Sequence, residues 1–228
     1  MITQIYSIQT PEEAMQCVEA GADCVGVAVA TGMHLPAEVS VEACRAIFDA
    51  IGDRAKKVLI VVTRTDEPIY APLEALRPDV LHICGNEYAA TPEFVRRAKS
   101  LCPGVEILQA IAVDGPQAVA RAAHFASFCD SLILDSVDPK IAGIGAAGVT
   151  HDWAVSAEIV RRVGGKVILA GGLGPDNVAD AIRAVRPWGV DSFTKTSDRL
   201  PDGTSRKNPE KVRAFIENAR AAARELSL

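Results

Sequence analysis

Short apolar runs alternate with amphipathic stretches from one end of this chain to the other. The runs at 2–7, 24–29, 57–62, 80–83, 106–110, 131–134, 167–170 and 190–193 are continuously apolar or nearly so, which reads as strands buried on both faces. The stretches at 11–20, 41–51, 68–76, 92–101, 116–126, 153–163, 175–185 and 209–226 carry apolar residues at helical spacing. Thr10-Pro11, Thr91-Pro92, Gly115-Pro116, Gly174-Pro175 and Asn208-Pro209 mark helix starts. Proline is tolerated in the first turn because the N–H it lacks would be unpaired there anyway. Eight strand–helix units predict an α/β fold, a parallel eight-stranded sheet closed into a single (β/α)8 TIM barrel over residues 1–228. A flat doubly wound sheet would normally hold fewer units, with helices on both faces.

Composition narrows the function. A chain of 228 residues can bury a large core unaided. A formal net charge of -5, with basic residues no more clustered than pairs or triplets, argues against nucleic acid as a partner. Met1-Ile-Thr-Gln4 has neither a basic leader nor a cleavable apolar core, and no run of about 18 apolar residues occurs, so neither signal peptide nor membrane partner is expected. Cys17, Cys24, Cys44, Cys84, Cys102 and Cys129 form no Cys-x-x-Cys pair and read mostly as small hydrophobes in a reducing, cytoplasmic setting. No His, Asp and Glu set falls at metal-ligand spacing, and no cofactor is expected.

In such barrels the functional groups follow the C-terminal ends of the strands. The most informative of these places is Leu169-Ala-Gly-Gly-Leu-Gly-Pro-Asp-Asn-Val178, a strand, a glycine pair and a helix start. Glycine lets the backbone approach an oxyanion, and a helix start offers N–H groups and partial positive charge, so this is a phosphate cradle. A second turn follows Gly189-Val-Asp-Ser-Phe193 at Thr194, Lys195 and Thr196. Loops after strands seven and eight often hold a substrate phosphate together. The longest loop, 135–152, contains Gly143-Ile-Gly-Ala-Ala-Gly148 and can move or wrap a ligand. Lys195 reads as a phosphate cation, a Schiff-base amine or a solvated loop residue. His151, beside Asp152 and Trp153, reads as part of a helix cap, and His34 lies in the loop after the second strand. His82 points opposite to Cys84 or into the barrel.

Several segments share one likeness: Pro11-Glu-Glu-Ala14 with Glu19-Ala-Gly-Ala-Asp-Cys-Val-Gly26, Leu81-His-Ile-Cys-Gly-Asn-Glu87, Leu132-Ile-Leu-Asp135, Gly143 to Trp153, and Leu169 to Val178. Nearly end to end, the chain resembles the phosphoribosylanthranilate isomerase family of tryptophan biosynthesis. The resemblance implies a monomer or homodimer acting on a small phosphorylated substrate by an Amadori rearrangement. In that reaction a general acid opens an aminoaldose and a base removes the C2 proton. Asp135 matches the family's acid, and Gly171, Gly172, Gly174, Thr194, Lys195 and Thr196 fall in its phosphate loops, with Ser7, His82 and Gly148 as further substrate contacts. Three positions depart from the family pattern. Tyr6 stands where the family has its cysteine base, Ala37 followed by Glu38 where an arginine meets the anthranilate, and Lys195 where the second phosphate loop has glycine. A tyrosine with pKa about 10 is a poor base unless a cation lowers that value. Tyr6, Ser7 or Cys84 would then supply the second acid/base. The phosphate end and the acid are kept while the distal end changes, which points to an isomerase of a phosphorylated sugar or aminosugar. The alternatives are a barrel epimerase or lyase on another sugar phosphate and a non-catalytic phosphate-ligand-binding homologue.

Overall fold

A computed structural model of the chain describes residues 1–33, 37–85, 87–137, 144 and 150–228. Gly148 and His34, both singled out above, lie outside the described residues. Eight strands close into a parallel barrel in the order of the sequence: β1 (Ile2–Ile5), β2 (Cys24–Ala28), β3 (Lys56–Val61), β4 (Val80–Ile83), β5 (Glu106–Ala112), β6 (Ser131–Asp135), β7 (Val167–Leu169) and β8 (Gly189–Ser192). β1 pairs with both β2 and β8, which leaves no strand edge open. The strands are followed by α1 (Pro11–Glu19), α2 (Val41–Ile51), α3 (Glu67–Leu76), α4 (Pro92–Leu101), α5 (Ala118–Ala126), α6 (Trp153–Val163), α7 (Val178–Val185) and α8 (Pro209–Leu226). The expected (β/α)8 barrel is therefore present. No helix among the described residues is long and apolar enough to cross a membrane.

The strands hold two cores apart by simple alternation. Val25, Val27, Leu59, Val61, Leu81, Ile83, Leu132 and Leu134 point outward onto the helices. The alternate residues Cys24, Ala28, Val58, Ile60, Val80, Leu108, Ala110, Ile133, Ile168 and Ala170 fill the barrel itself, together with Tyr6. The helices begin where the caps place them. Thr10, Ser40 and Thr91 each accept the N–H of the residue three positions on, and Asp152 and Asn208 cap α6 and α8.

A repeated device closes the N-terminal end of the barrel. Asp23, Asp79 and Asp130 each stand one residue before an even-numbered strand. Each carboxylate accepts the N–H of Thr3, Lys57 or Ile107 on the preceding strand at 2.8 Å. These bonds fix the register of strand pairs β1–β2, β3–β4 and β5–β6.

Several boundaries shift by a residue or two from the sequence reading, three of them for a clear local reason, and one element is added. β1 stops at Ile5 because Ser7 adopts a left-handed backbone (φ 62°), which no extended strand admits. α5 begins at Ala118, after a turn closed by the Ala118 N–H on the Gly115 carbonyl. α7 begins at Val178, not Pro175, because the Asn177 side chain closes a turn on Gly172 and Gly174 first. A hairpin, β9 (Ser197–Arg199) with β10 (Ser205–Lys207), is inserted between β8 and α8.

Inside the barrel, Tyr6 lies flat against the backbone of Gly26. A Cβ there would fall 2.2 Å from Tyr6 Cδ1 and 2.5 Å from Cε1. Gly26→Ala is therefore expected to destabilise the fold by about 1–3 kcal/mol, the usual cost of overpacking. The loss should largely disappear in a Tyr6→Ala background when urea unfolding is followed as a double-mutant cycle. Additive effects would show that the ring and the glycine are not in contact.

Candidate active site at the barrel mouth

The site follows from which strand ends carry polar residues inward. β6 ends on Asp135, β8 presents Asp191, β4 presents His82 and then Cys84, and β1 continues into Tyr6. Asp191 and His82 are buried inside a mainly apolar barrel, so each titratable group there favours its neutral form. Asp135 opens toward the mouth, yet desolvation raises its carboxyl pKa to about 7, against the pull of the Ser136 N–H, which donates to Oδ1 at 2.7 Å. Asp191 is pushed up by desolvation and further by the Asp135 charge, opposed by the Gln4 amide that donates to its Oδ1 at 3.2 Å. Burial thus raises both carboxyls, Asp135 to about 7 and Asp191 well above the ordinary range.

Asp135 and Asp191 line one small pocket with Gly171, Gly172, Leu173, Ser192, Phe193 and Thr194. A neighbouring cavity of about 140 Å³ is lined by Gly172, Gly174, Pro175, Asp176, Asn177 and Lys195. The structure thus brings Asp135, the glycine-bearing turn after β7 and the Thr194–Thr196 turn after β8 to one end of the barrel. Gly171 and Gly172 have φ of 83° and 62°, which side chains rarely adopt. Gly174 serves differently from the sequence reading. Its N–H donates to Asn177 Oδ1 at 2.8 Å, and a Cβ there would meet Lys195 Cβ at 2.6 Å, so what the glycine supplies is room for the lysine. Thr194–Thr196 forms a short 3-10 turn in which Thr194 and Lys195 are exposed and Thr196 is buried. The Ser192 hydroxyl donates to the Leu173 carbonyl at 2.7 Å and joins the two turns.

The residues considered as the second acid/base are placed less favourably. The Tyr6 ring is buried, its Oη has no partner among the described residues, and burial first, then the charge of Asp191, push its pKa well above the ordinary value. Cys84 is likewise raised, by burial and by Asp135, and its thiol donates to the Ile144 carbonyl at 3.0 Å. Both are therefore held as neutral donors, and a base needs an available lone pair. Ser7 sits buried at the strained end of β1. Of the two directions considered for His82, the structure shows the one into the barrel and not the one opposite Cys84. Residues two apart share a face, so both look into the barrel, and the His82 ring lies 5.3 Å from that of Tyr6. Burial lowers the His82 pKa to about 3, and neither nitrogen has a partner among the described residues.

Three residues at this end were not assigned to the site by the sequence reading. Asp191 had a legible signal, since it falls at an inward position of β8. His151 did not: Asp152 alone caps α6, while the His151 ring swings back over Gly171. Lys207 comes from the inserted hairpin. Its ammonium donates to the Phe193 carbonyl at 2.9 Å and to Ser197 Oγ at 3.0 Å, so it braces both ends of the Thr194–Thr196 turn from below. Burial lowers its pKa to about 8. Among the described residues, no His, Cys, Asp and Glu cluster could hold a metal ion.

Comparison with known proteins agrees with this architecture. The family model for N-(5'-phosphoribosyl)anthranilate (PRA) isomerase matches residues 4–218. The N-(5'-phosphoribosyl)anthranilate isomerase of Methanocella arvoryzae is 32% identical over 95% of this chain and 97% of its own. The crystal structure of phosphoribosyl anthranilate isomerase from Thermotoga maritima superposes with a TM-score of 0.79 at 26% identity, covering 97% of this chain and 100% of that one. A phosphoribosyl anthranilate isomerase solved with reduced 1-(o-carboxyphenylamino)-1-deoxyribulose 5-phosphate shares the fold, with a TM-score of 0.76 at 24% identity over 97% of this chain and 100% of that one. The chain belongs to the N-(5'-phosphoribosyl)anthranilate isomerase family.

Proposed function

We propose that this chain isomerises N-(5'-phosphoribosyl)anthranilate, or a close phosphorylated aminoaldose, with Asp135 as the general acid. The observation that carries the reading is a carboxyl held near neutral pKa within one pocket of two phosphate-type turns. A protonated Asp135 gives its proton to the ring oxygen as the C1–O bond breaks, and the substrate nitrogen lone pair forms the C1=N bond. A carboxylic acid still half protonated near pH 7 suits that step. The phosphate would lie across Gly171, Gly172 and the Thr194–Thr196 turn, with Lys195 as counter-charge. A second reading, a substrate without the benzoate group, is favoured by Ala37 at the place where the family carries its arginine, since a carboxylate there loses a bidentate partner.

The assay is loss of substrate fluorescence with freshly prepared phosphoribosylanthranilate. Turnover is expected, and Asp135→Asn should lower kcat by about 10²–10⁴-fold. Thermal stabilisation by simple sugar phosphates without turnover would instead support the second reading.

The raised pKa fixes two pH dependences. The acid must be protonated, so kcat/KM should fall as pH rises through about 7. A profile flat from pH 6 to 9 would contradict the role. Stability carries the same sign: the folded form binds the Asp135 proton more tightly than the unfolded chain, so its burial costs nothing at low pH and becomes destabilising as pH rises from about 4 to 7. Asp135→Asn should therefore raise Tm at pH 8 and leave it nearly unchanged at pH 4.

For Lys195, Ala substitution should weaken binding of inorganic phosphate about tenfold, measured by calorimetry, as loss of one charge-assisted contact. Borohydride with substrate should trap no adduct on it; a trapped adduct would assign it the amine chemistry instead.

A further inference from the structure

We propose that His151 is the base that removes the C2 proton, replacing the strand-one residue in the isomerisation proposed above, on which this assignment rests. Asp135 and His151 converge on one point. Gly171 lacks a side chain, and the position its Cβ would occupy is 2.7 Å from His151 Nδ1 and 3.3 Å from Asp135 Oδ1. A carboxyl group and an imidazole nitrogen thus face the same spot over the turn after β7, as adjacent C1–O and C2–H bonds require.

The imidazole is prepared for this task. Its Nε2 lies 2.8 Å from the hydroxyl of Ser156, which is fully buried in the first turns of α6. With Nε2–H donating to that oxygen, the lone pair rests on Nδ1, and Nδ1 is buried with no partner among the described residues. Burial lowers the His151 pKa to about 4, only partly countered by Asp152, so between about pH 4 and 7 a neutral ring coexists with a protonated Asp135. The other groups nearby do not fit. Burial raises Tyr6, Cys84 and Asp191 alike, which favours the proton-bearing form of each and leaves none with the free lone pair a base needs.

The step balances without a co-reactant. After ring opening, Nδ1 takes the C2 proton, the C2–H electron pair forms C1=C2, and the C1=N pair returns to nitrogen as an enolamine. The C2 hydroxyl then gives its proton to the Asp135 carboxylate as C2=O forms, and the imidazolium returns a proton to C1. Both groups end in their starting states, and the product is the 1-amino-1-deoxyketose.

The test compares wild type, His151→Gln and Ser156→Ala for turnover of phosphoribosylanthranilate, affinity for reduced 1-(o-carboxyphenylamino)-1-deoxyribulose 5-phosphate, and thermal unfolding. His151→Gln should lose about 10²–10⁴-fold in kcat, as general-base catalysis implies, with analogue affinity within about threefold of wild type. Turnover retained within about threefold would overturn the assignment and leave the isomerase reading intact. A matched loss of affinity and kcat would also overturn it, in favour of a structural role. If His151→Gln fails to fold, Ser156→Ala decides: a lowered kcat with unchanged affinity supports the base, and wild-type kcat overturns it. A wild type that binds the analogue without any turnover removes both readings together.

Discussion

The chemistry at the mouth of this barrel rests on desolvation. A closed eight-stranded sheet puts every second strand residue into a space shared mostly with Val, Leu, Ile and Ala, and water there is scarce. Any titratable side chain that reaches inward pays in charge. Asp135 and Asp191 move up, His82 and His151 move down, and Tyr6 and Cys84 keep their protons. The groups present would be ordinary anions, cations or donors in water. Enclosed together, they include one carboxyl raised to about 7 and one imidazole lowered to about 4, the pair on which the proposed acid and base roles rest. The turns after β7 and β8 line the pocket beside them, and the proposed function places the phosphate there.

Much of this was legible in the residue pattern. Continuous apolar strands in regular alternation with capped helices specify the barrel, because only helices packed outside a closed parallel sheet bury both strand faces. The Gly171-Gly172 pair and the Leu132-Ile-Leu-Asp135 strand end were also legible as places at the barrel mouth, and the structure brings them into one pocket. What escaped was side-chain direction over long separations. His151 and Gly171 are twenty positions apart, and nothing in the spacing shows that the ring turns back across the β7 turn and away from the α6 cap. The hairpin Ser197–Arg199 with Ser205–Lys207 is short and polar, so hydrophobic periodicity does not reveal it, although Pro201-Asp-Gly203 is a turn signal. Lys207 inherits that difficulty. The aspartates before β2, β4 and β6 were visible as residues but carry meaning only once the strand pairs they join are known.

Two bulky residues at the barrel mouth, Tyr6 and Lys195, are each accommodated by a glycine on a neighbouring segment. Tyr6 is large, and it fits only because Gly26 on the adjacent strand leaves room for its ring. Tyr6 in turn stacks beside His82, so the floor of the site is aromatic and neutral. A floor of that kind disfavours a thiolate-like base, and the proposal above gives the lone pair to His151 over Gly171 instead. Lys195 against Gly174 and Lys207 beneath Phe193 show the same logic at the phosphate end: bulk gained at one position is matched by space or a brace at its neighbour.

The central claim is that burial holds the Asp135 carboxyl protonated into the neutral range. The most direct measurement is a ¹³C NMR titration of the Asp135 side-chain carboxyl in the ligand-free protein, with the Asp135→Asn spectrum identifying its resonance. The account predicts a midpoint near pH 7. A midpoint near 4, the value of an aspartate in water, would contradict it and remove the physical basis for the acid at this site.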